Sequence, residues 1–174
     1  HAISKLSYLH GTSTEEYRQR VIQLGEQPER VKNVGAIGLD HLKRAEFMDV
    51  AEIARSLDFP LNQPYFLVTY HPVTLADEKP EQSFNALLDA LDEFKDHQVI
   101  ITYPNADDGG RRIIPLLEQY AKSNPQRVCA IPSLGQKRYL STVKNAAVVI
   151  GNSSSGIIEV PSFNVPTVNV GVRQ

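Results

Sequence analysis

The sequence contains a single cysteine, Cys129, among 174 residues. This excludes a disulfide within the chain and a cysteine-based metal cluster, so we expect no metal and no cofactor. A chain without disulfides fits a reducing compartment, and we expect a cytoplasmic location. Long apolar runs are also missing. No segment approaches the roughly 20 apolar residues that cross a bilayer, and the first residues lack the charged and apolar regions of a signal peptide.

Clustered positive charge is absent as well. The 18 Lys and Arg residues are outnumbered by 20 Asp and Glu, which gives a formal charge of -2. Nucleic acids and anionic membranes are bound by clusters of positive charge, so we expect neither as a partner. Any phosphate group must therefore be bound by a local arrangement of donors and not by an extended positive surface. A starting methionine is also lacking, and because HAISKLSYLHGT resembles the middle of a structural unit, we expect a piece of a longer protein.

Seven short apolar runs, each bounded by turn residues, recur along the chain. They are rich in Val, Ile, Tyr and Thr and show little alternation with polar residues. This pattern is typical of parallel strands that are covered on both faces. The runs are LSYLHGT, VKNVGAIG, YFLVTYHP, VIITYP, VCAIPS, AAVVIGN and TVNVG.

Segments with helical spacing lie between these predicted strands. The first is expected to begin at Ser13 or Thr14, whose side-chain oxygens can cap it, and to end before Gly25. Further helices are predicted over 46–57, 82–94 and 107–122, with shorter ones after Gln136 and Ser154.

Strands that alternate with helices imply right-handed βαβ units in an open, doubly wound parallel sheet. The predicted fold class is therefore α/β, of the Rossmann-like type. A domain boundary is predicted near Asp40, because VGAIGLDHLKR changes there from a strand to a charged connector. Residues 1–40 are then the last βαβ piece of a preceding Rossmann-like domain, and residues 41–174 are a second Rossmann-like domain.

Polar residues follow four of the predicted strands, and in open α/β sheets ligands lie beyond the carboxyl ends of the strands. The strongest candidate is GNSSSG (151–156), where a strand end meets a helix start. Backbone N–H groups, the helix dipole and serine hydroxyls can all donate to phosphate oxygens there. The segment matches neither the P-loop nor GxGxxG. The alternative is that Ser153 or Ser154 is only a helix N-cap.

Four other residues are candidates, each with a structural alternative. Glu159 can address a sugar hydroxyl or be a surface carboxylate near the helix start. Arg173 can pair with phosphate in a bidentate manner or be solvated. His71 can donate to a phosphate or move a proton, although a lone histidine is more often structural. Asn105 is either a ligand contact or a helix-capping residue.

Several of these segments together resemble one family. VIGNSSSGIIEVPSF followed by PTVNVGVRQ is similar to the UDP-binding segment of the UDP-N-acetylglucosamine 2-epimerases, and YHPVT resembles their hydrolysing branch, which begins sialic-acid synthesis. YPNADDGG and IPSLGQKRYL are similar as well, so the resemblance covers the whole chain. It implies two Rossmann-like domains of the glycosyltransferase-B type, with the substrate between them. This chain resembles mainly the second domain.

The resemblance also implies a reaction and a set of roles. UDP is eliminated across C1 and C2 of UDP-N-acetylglucosamine, and water adds to the glucal-like intermediate to release N-acetylmannosamine. The acid and base carboxylates belong to the first domain, so this chain alone is expected to be inactive, and the full-length protein is expected to be a homo-oligomer. The implied UDP contacts are Ser153, Ser154, Gly156, Glu159 (on the ribose) and Arg173, with His71 as the catalytic candidate by the phosphates, Asn105 lining the site and the backbone around Ile131 meeting uracil.

Two alternatives stay open. A non-hydrolysing 2-epimerase or a retaining glycosyltransferase of the same architecture would also hold UDP, but would deliver a UDP-linked product or a glycoside. A non-catalytic nucleotide-binding or regulatory module would hold the nucleotide without chemistry.

Overall fold

The computed structural model describes residues 1–73, 79–105 and 108–174. By their contacts, these residues divide into two compact units, His1–Ala45 and Glu46–Gln174. No helix within the described ranges is long and apolar enough to cross a membrane.

The first unit is built around a βαβ motif. Helix α1 (Ala2–Leu6) precedes strand β1 (His10–Thr12), helix α2 (Glu15–Gln23) and strand β2 (Val31–Asn33), and the two strands pair in parallel. As predicted, Thr14 caps α2: its side chain accepts from the Tyr17 amide at 3.1 Å. Two short 3₁₀ helices, Pro28–Arg30 and Ile37–Lys43, flank β2.

The second unit contains a five-stranded sheet in which every neighbouring pair is parallel, in the order β5-β4-β3-β6-β7. The chain steps outward from β3 to β5 and then returns to place β6 on the other side of β3. This order confirms the predicted doubly wound, Rossmann-like α/β sheet. The elements are α3 (Val50–Leu57), β3 (Tyr65–Thr69), α4 (Pro80–Asp92), β4 (Gln98–Thr102), α5 (Asp108–Ser123), β5 (Val128–Ile131), α6 (Gly135–Asn145), β6 (Val148–Gly151), α7 (Ser155–Ile158), a 3₁₀ helix (Val160–Phe163) and β7 (Thr167–Asn169).

Two apolar clusters cover the two faces of this sheet. Phe66 and Val68 of β3 pack in the cluster that contains the buried side chains of α4 and α5, including the fully buried Phe84. Tyr65 and Leu67 pack in the other cluster, which includes Val143 of α6. Because helices cover both faces, the strands need no polar face, which explains their continuous apolar runs.

Helix α3 differs from its predicted start at residue 46. It begins at Val50 because Asp49 and Glu52 form a capping box, with the Asp49 side chain accepting from the Glu52 amide at 2.7 Å and the Glu52 side chain accepting from the Asp49 amide at 2.8 Å. The reciprocal pair satisfies two N–H groups that a helix start otherwise leaves without partners.

Candidate functional site

The strand order reverses between β3 and β6. Connections leave these two neighbouring strands in opposite directions, and the crevice that opens between them is where open α/β sheets bind ligands. The loop after β3 carries His71, and the loop after β6 carries the predicted GNSSSG segment. The topology therefore brings the GNSSSG segment and His71 to the same point.

A cleft of about 390 Å³ lies at the carboxyl ends of β3, β4, β5 and β6. Its volume falls within the range of roughly 300–1,000 Å³ that small-molecule sites occupy. Side-chain hydroxyls are frequent in its lining, and those of Thr69 and Thr102 form a hydrogen bond of 2.8 Å with each other. Its lining includes Thr69, Thr102, Asn105, Ser133, Tyr139 and Ser153.

Gly151, at the end of β6, makes the close approach to β3 possible. Its φ is 143°, and a Cβ at this position would lie 1.9 Å from the Thr69 carbonyl oxygen. Only glycine tolerates both the conformation and the contact. The next amide, that of Asn152, donates to the same Thr69 oxygen at 3.1 Å.

The three serines of the segment have different environments. Ser153 lines the cleft, Ser154 is exposed at the N-cap of α7, and Ser155 is buried with its hydroxyl accepting from the Tyr139 phenol at 2.6 Å. The Ser154 side chain makes no capping hydrogen bond. Among the described residues, no acceptor is found for the backbone N–H groups of Ser153 and Ser154. These two amides and the adjacent hydroxyls are available to donate to an anion.

Helix α7 is a single turn of four residues, Ser155–Ile158. A helix of this length sums few peptide dipoles, so the local N–H and O–H donors matter more here than the helix dipole that the sequence suggested. Glu159 is the C-cap of α7, and the next turn begins after it as the 3₁₀ helix Val160–Phe163. It lies at the end of the first turn, as predicted.

His71 and Asn105 are in contact. The Asn105 backbone N–H donates to Nδ1 of His71 at 3.2 Å. A ring nitrogen that accepts an N–H bond carries no proton, so the neutral imidazole has its proton on Nε2 and can donate from there. The backbone contact favours a positioning role for Asn105 and leaves its exposed side chain at the cleft.

Three other predicted residues lie around the segment or across the cleft. Arg173 donates from Nη1 to the Asn152 carbonyl oxygen at 2.8 Å, so its guanidinium lies beside the loop after β6. Gly156 packs against β7, where a Cβ would lie 3.0 Å from the Thr167 methyl group. Ile131 ends β5 with its carbonyl accepting from the Tyr103 amide at 3.0 Å. It stands three strands away from Gly151, about 14 Å at the usual strand spacing.

Two residues that sequence reasoning did not assign to the site also belong to it. Asn152 is 1% exposed, and its side chain hydrogen-bonds to the backbone of His71. Tyr139 of α6 lines the cleft, and burial raises the pKa of its phenol. The position of Asn152 directly after a glycine-ended strand is a local signal. Tyr139 had no such signal, since its contact joins residues 16 positions apart.

In the part of the chain that the structure describes, no group of three His, Cys, Asp or Glu side chains is placed to hold a metal ion. The chemistry that these residues offer is hydrogen-bond donation from amides, hydroxyls, a guanidinium and an imidazole. Such a set suits an anionic ligand with several oxygen atoms.

A family model described as UDP-N-acetylglucosamine 2-epimerase matches residues 1–174. Among curated proteins, this chain is 39% identical over 174 residues to GDP/UDP-N,N'-diacetylbacillosamine 2-epimerase (hydrolyzing) of Campylobacter jejuni, covering 100% of this chain and 45% of that protein. It is 32% identical over 178 residues to UDP-N-acetylglucosamine 2-epimerase of Neisseria meningitidis, with the same two coverages. The chain thus spans less than half the length of these relatives.

Solved structures give the same fold. The UDP-GlcNAc 2-epimerase from Neisseria meningitidis bound to UDP-GlcNAc superimposes with a TM-score of 0.72 at 17% identity, over 94% of this chain and 44% of that chain. The S. aureus MnaA–UDP complex superimposes with a TM-score of 0.70 at 19% identity, over 95% and 43%. These likenesses confirm the predicted fold class, a Rossmann-like part of a glycosyltransferase-B type fold. Since the family model matches every residue of it, the chain belongs to the UDP-N-acetylglucosamine 2-epimerase family.

Proposed function

We propose that this chain holds the UDP half of a nucleotide sugar at the switch point between β3 and β6. The observation that carries the proposal is the pair of Ser153 and Ser154 amides beside the His71 loop, which have no acceptor among the described residues. A diphosphate carries several anionic oxygens, and charge-assisted hydrogen bonds from such donors are among the stronger ones in proteins.

The residue roles follow from this position. The Ser153 and Ser154 donors bind phosphate oxygens, with Arg173 supplying positive charge beside the same loop. His71 donates from Nε2 to the diphosphate, and Asn105 lines the cleft. Gly156 lets the segment pack closely on β7, and Glu159 accepts from ribose hydroxyls. The backbone around Ile131, about 14 Å from Gly151, meets uracil at the far end of an extended nucleotide.

For the whole protein, we propose the hydrolysing 2-epimerase reaction. UDP leaves as the C1–O bond breaks and C2 loses a proton, and water then adds to the glucal-like intermediate. Fixed N–H and O–H donors stabilise the charge that develops on the departing diphosphate, which is the contribution of this chain. The general acid and base are assigned to the rest of the protein, so this chain alone is expected to be inactive.

A second candidate concerns the sugar. Two relatives, 39% and 36% identical to this chain, are named for N,N'-diacetylbacillosamine, whereas the relative named for N-acetylglucosamine is 32% identical. We propose UDP-N-acetylglucosamine, which we expect from the sequence, as the first candidate substrate and a UDP-linked diacetamido sugar as the second; the 39% identical relative is named for both GDP and UDP. Both candidate substrates share the UDP half that this chain is proposed to bind.

Calorimetric titration of UDP into this chain tests the site. We expect the double substitution Ser153→Ala and Ser154→Ala to lower UDP affinity by roughly 10- to 100-fold, because it removes two hydroxyl donors to a charged ligand while leaving the backbone amides in place. Ser123→Ala, at the end of α5, is the control and should leave the affinity unchanged. An unchanged affinity in the double variant would refute phosphate binding by the two hydroxyls, and a wild type that does not bind UDP would refute the site.

Product analysis with the full-length protein tests the reaction. Incubation with each UDP-sugar should release UDP and a free 2-epimerised amino sugar. A product that stays linked to UDP would support the non-hydrolysing alternative, and binding without any product would support the non-catalytic module.

Three further parts of the proposal rest on the sequence. The lone Cys129 fits a cytoplasmic protein, and the full-length protein is proposed to be a homo-oligomer. Residues 1–40 are proposed to close a preceding Rossmann-like domain, supported by the parallel β1–α2–β2 motif.

A further inference from the structure

The Asn152 side chain forms two short hydrogen bonds to one residue of the neighbouring loop. Its Oδ1 accepts from the His71 amide at 2.7 Å, and its Nδ2 donates to the His71 carbonyl oxygen at 2.7 Å. The residue is 1% exposed. A buried carboxamide that uses its donor and its acceptor on the same backbone residue restrains that residue strongly, because no water competes for either bond.

These bonds continue the pairing of β3 and β6 past the end of the sheet. The backbone register of the two strands ends at Thr69 and Gly151, and the chains part beyond that pair. The carboxamide of Asn152 then takes the place of a strand neighbour and binds the N–H and C=O of His71. The Asn152 carboxamide thereby holds the backbone of His71, the first residue of this loop that is proposed to contact the ligand.

The imidazole and the guanidinium are connected to the same residue. The ring of His71 is oriented by the Asn105 amide on Nδ1, while its backbone is held by Asn152. Arg173 donates to the Asn152 carbonyl oxygen at 2.8 Å. One buried residue therefore links the histidine, the arginine and the serine donors that follow it in sequence.

We propose that Asn152 is a positioning residue, which sets the His71 imidazole for the diphosphate and so raises UDP affinity without touching the ligand. The inference rests on the proposed UDP site. Preorganised donors bind more tightly because their ordering is not paid for at the moment of binding.

The competing explanation is that Asn152 only stabilises the fold. Gln98 is an example of a buried carboxamide that stabilises the fold away from the site. It is 3% exposed, and its carboxamide bonds to four backbone groups at the amino end of the sheet. If Asn152 only stabilises the fold, Asn152→Ala should lower the stability, and any change in UDP affinity should not depend on the His71 side chain.

A double-mutant cycle on UDP affinity separates the two explanations. The four proteins are the wild type, Asn152→Ala, His71→Ala and the double variant, each titrated with UDP by calorimetry. With His71 present, we expect Asn152→Ala to weaken UDP binding about tenfold, the scale of one misplaced charge-assisted hydrogen bond. With His71 replaced by alanine, the same substitution should change the affinity by less than about twofold. Gln98→Ala is the matched control and should leave UDP affinity unchanged.

Each outcome has one meaning. If the wild type does not bind UDP, the proposed function fails and the inference falls with it. If the wild type binds and Asn152→Ala has no effect, or has the same effect in both backgrounds, the inference is overturned and the proposed function stands.

A measurement on the wild type covers the case in which Asn152→Ala does not fold. The Asn152 side-chain amide should give an exchange-protected NMR resonance that shifts when UDP is added, because a diphosphate bound at the His71 imidazole changes the electrostatic environment of the loop that Asn152 holds. A resonance that exchanges freely or does not respond to UDP would overturn the inference.

Discussion

The two ends of the parallel sheet each contain a buried carboxamide, and they serve different purposes. At the amino end, Gln98 accepts from the Asn62 and Gln63 amides and donates to the Pro60 and Gln126 carbonyls. At the carboxyl end, the Asn152 side chain forms both of its hydrogen bonds within the described residues with the His71 backbone, beside a cleft of about 390 Å³. The same polar group therefore closes one end of the sheet and organises the proposed site at the other.

The difference follows from the direction of the backbone. Parallel strands send successive connections from their carboxyl ends, and at a switch point these connections diverge and leave a crevice. The amino ends of the strands follow loops that come from the preceding helices. There, a glutamine can satisfy the incoming loops without leaving room for a ligand.

The largest effect is expected from a substitution that disrupts the carboxyl end of the sheet. Gly151→Ala should destabilise the fold by roughly 3–5 kcal/mol, since a Cβ would collide with the Thr69 carbonyl and the backbone conformation is strained for alanine. UDP binding should be lost with it. Urea denaturation and calorimetry measure both, and Gly38→Ala, where a Cβ meets nothing within 4 Å, is the control. A variant with wild-type stability would show that β3 and β6 do not need this close approach.

An intermediate effect is expected at the amino end. Gln98→Ala should cost about 2 kcal/mol in the free energy of unfolding, because four hydrogen bonds are lost while water reaches part of the exposed loops. Its UDP affinity should equal that of the wild type. The denaturation midpoint and a UDP titration of the same sample provide the check, and a weakened UDP affinity would mean that the two ends are not independent.

The smallest effect is expected in the pH dependence of stability, through Tyr65 at the start of β3. Burial raises the pKa of Tyr65, whose hydroxyl donates to the Thr142 carbonyl at 2.8 Å. The unfolded phenol loses its proton near pH 10, whereas the buried phenol keeps it. The stabilisation of the fold by the protonated Tyr65 is therefore complete below about pH 10 and declines as the pH rises further.

Tyr65→Phe tests that assignment. It should cost about 1 kcal/mol at neutral pH through the lost hydrogen bond, and its unfolding free energy should fall less steeply than that of the wild type above pH 10. Urea midpoints at pH 8, 10 and 11 measure the slope. Equal slopes would assign the alkaline loss to other tyrosines, such as Tyr120, where burial raises the pKa to about 12.

Much of the fold was predictable because strand runs and helix periodicity are local. Each of the seven predicted strands is present, and the 82–94 helix appears as Pro80–Asp92 with Phe84, Leu87, Leu88 and Leu91 buried. Helix ends were less predictable. The start of α3 at Val50 depends on a capping box that was not predicted, and no helix was predicted at α1 (Ala2–Leu6).

The candidate site divides in the same way. His71, Asn105, Ser153 and Ser154 are candidates from the sequence because each follows an apolar run, and their roles stay predictions. Asn152 and Tyr139 were not found, because their importance comes from hydrogen bonds to residues 81 and 16 positions away.

The α/β class, the strand positions and the family to which GNSSSG belongs could be read from the sequence, because they depend on periodicity and on short motifs. That β3 and β6 are neighbours, that Asn152 joins their loops and that the three serines differ in environment became known from the folded chain. Hydrogen bonds between distant residues and the divergence of chains at a switch point are properties of packing, which no local pattern in the sequence encodes.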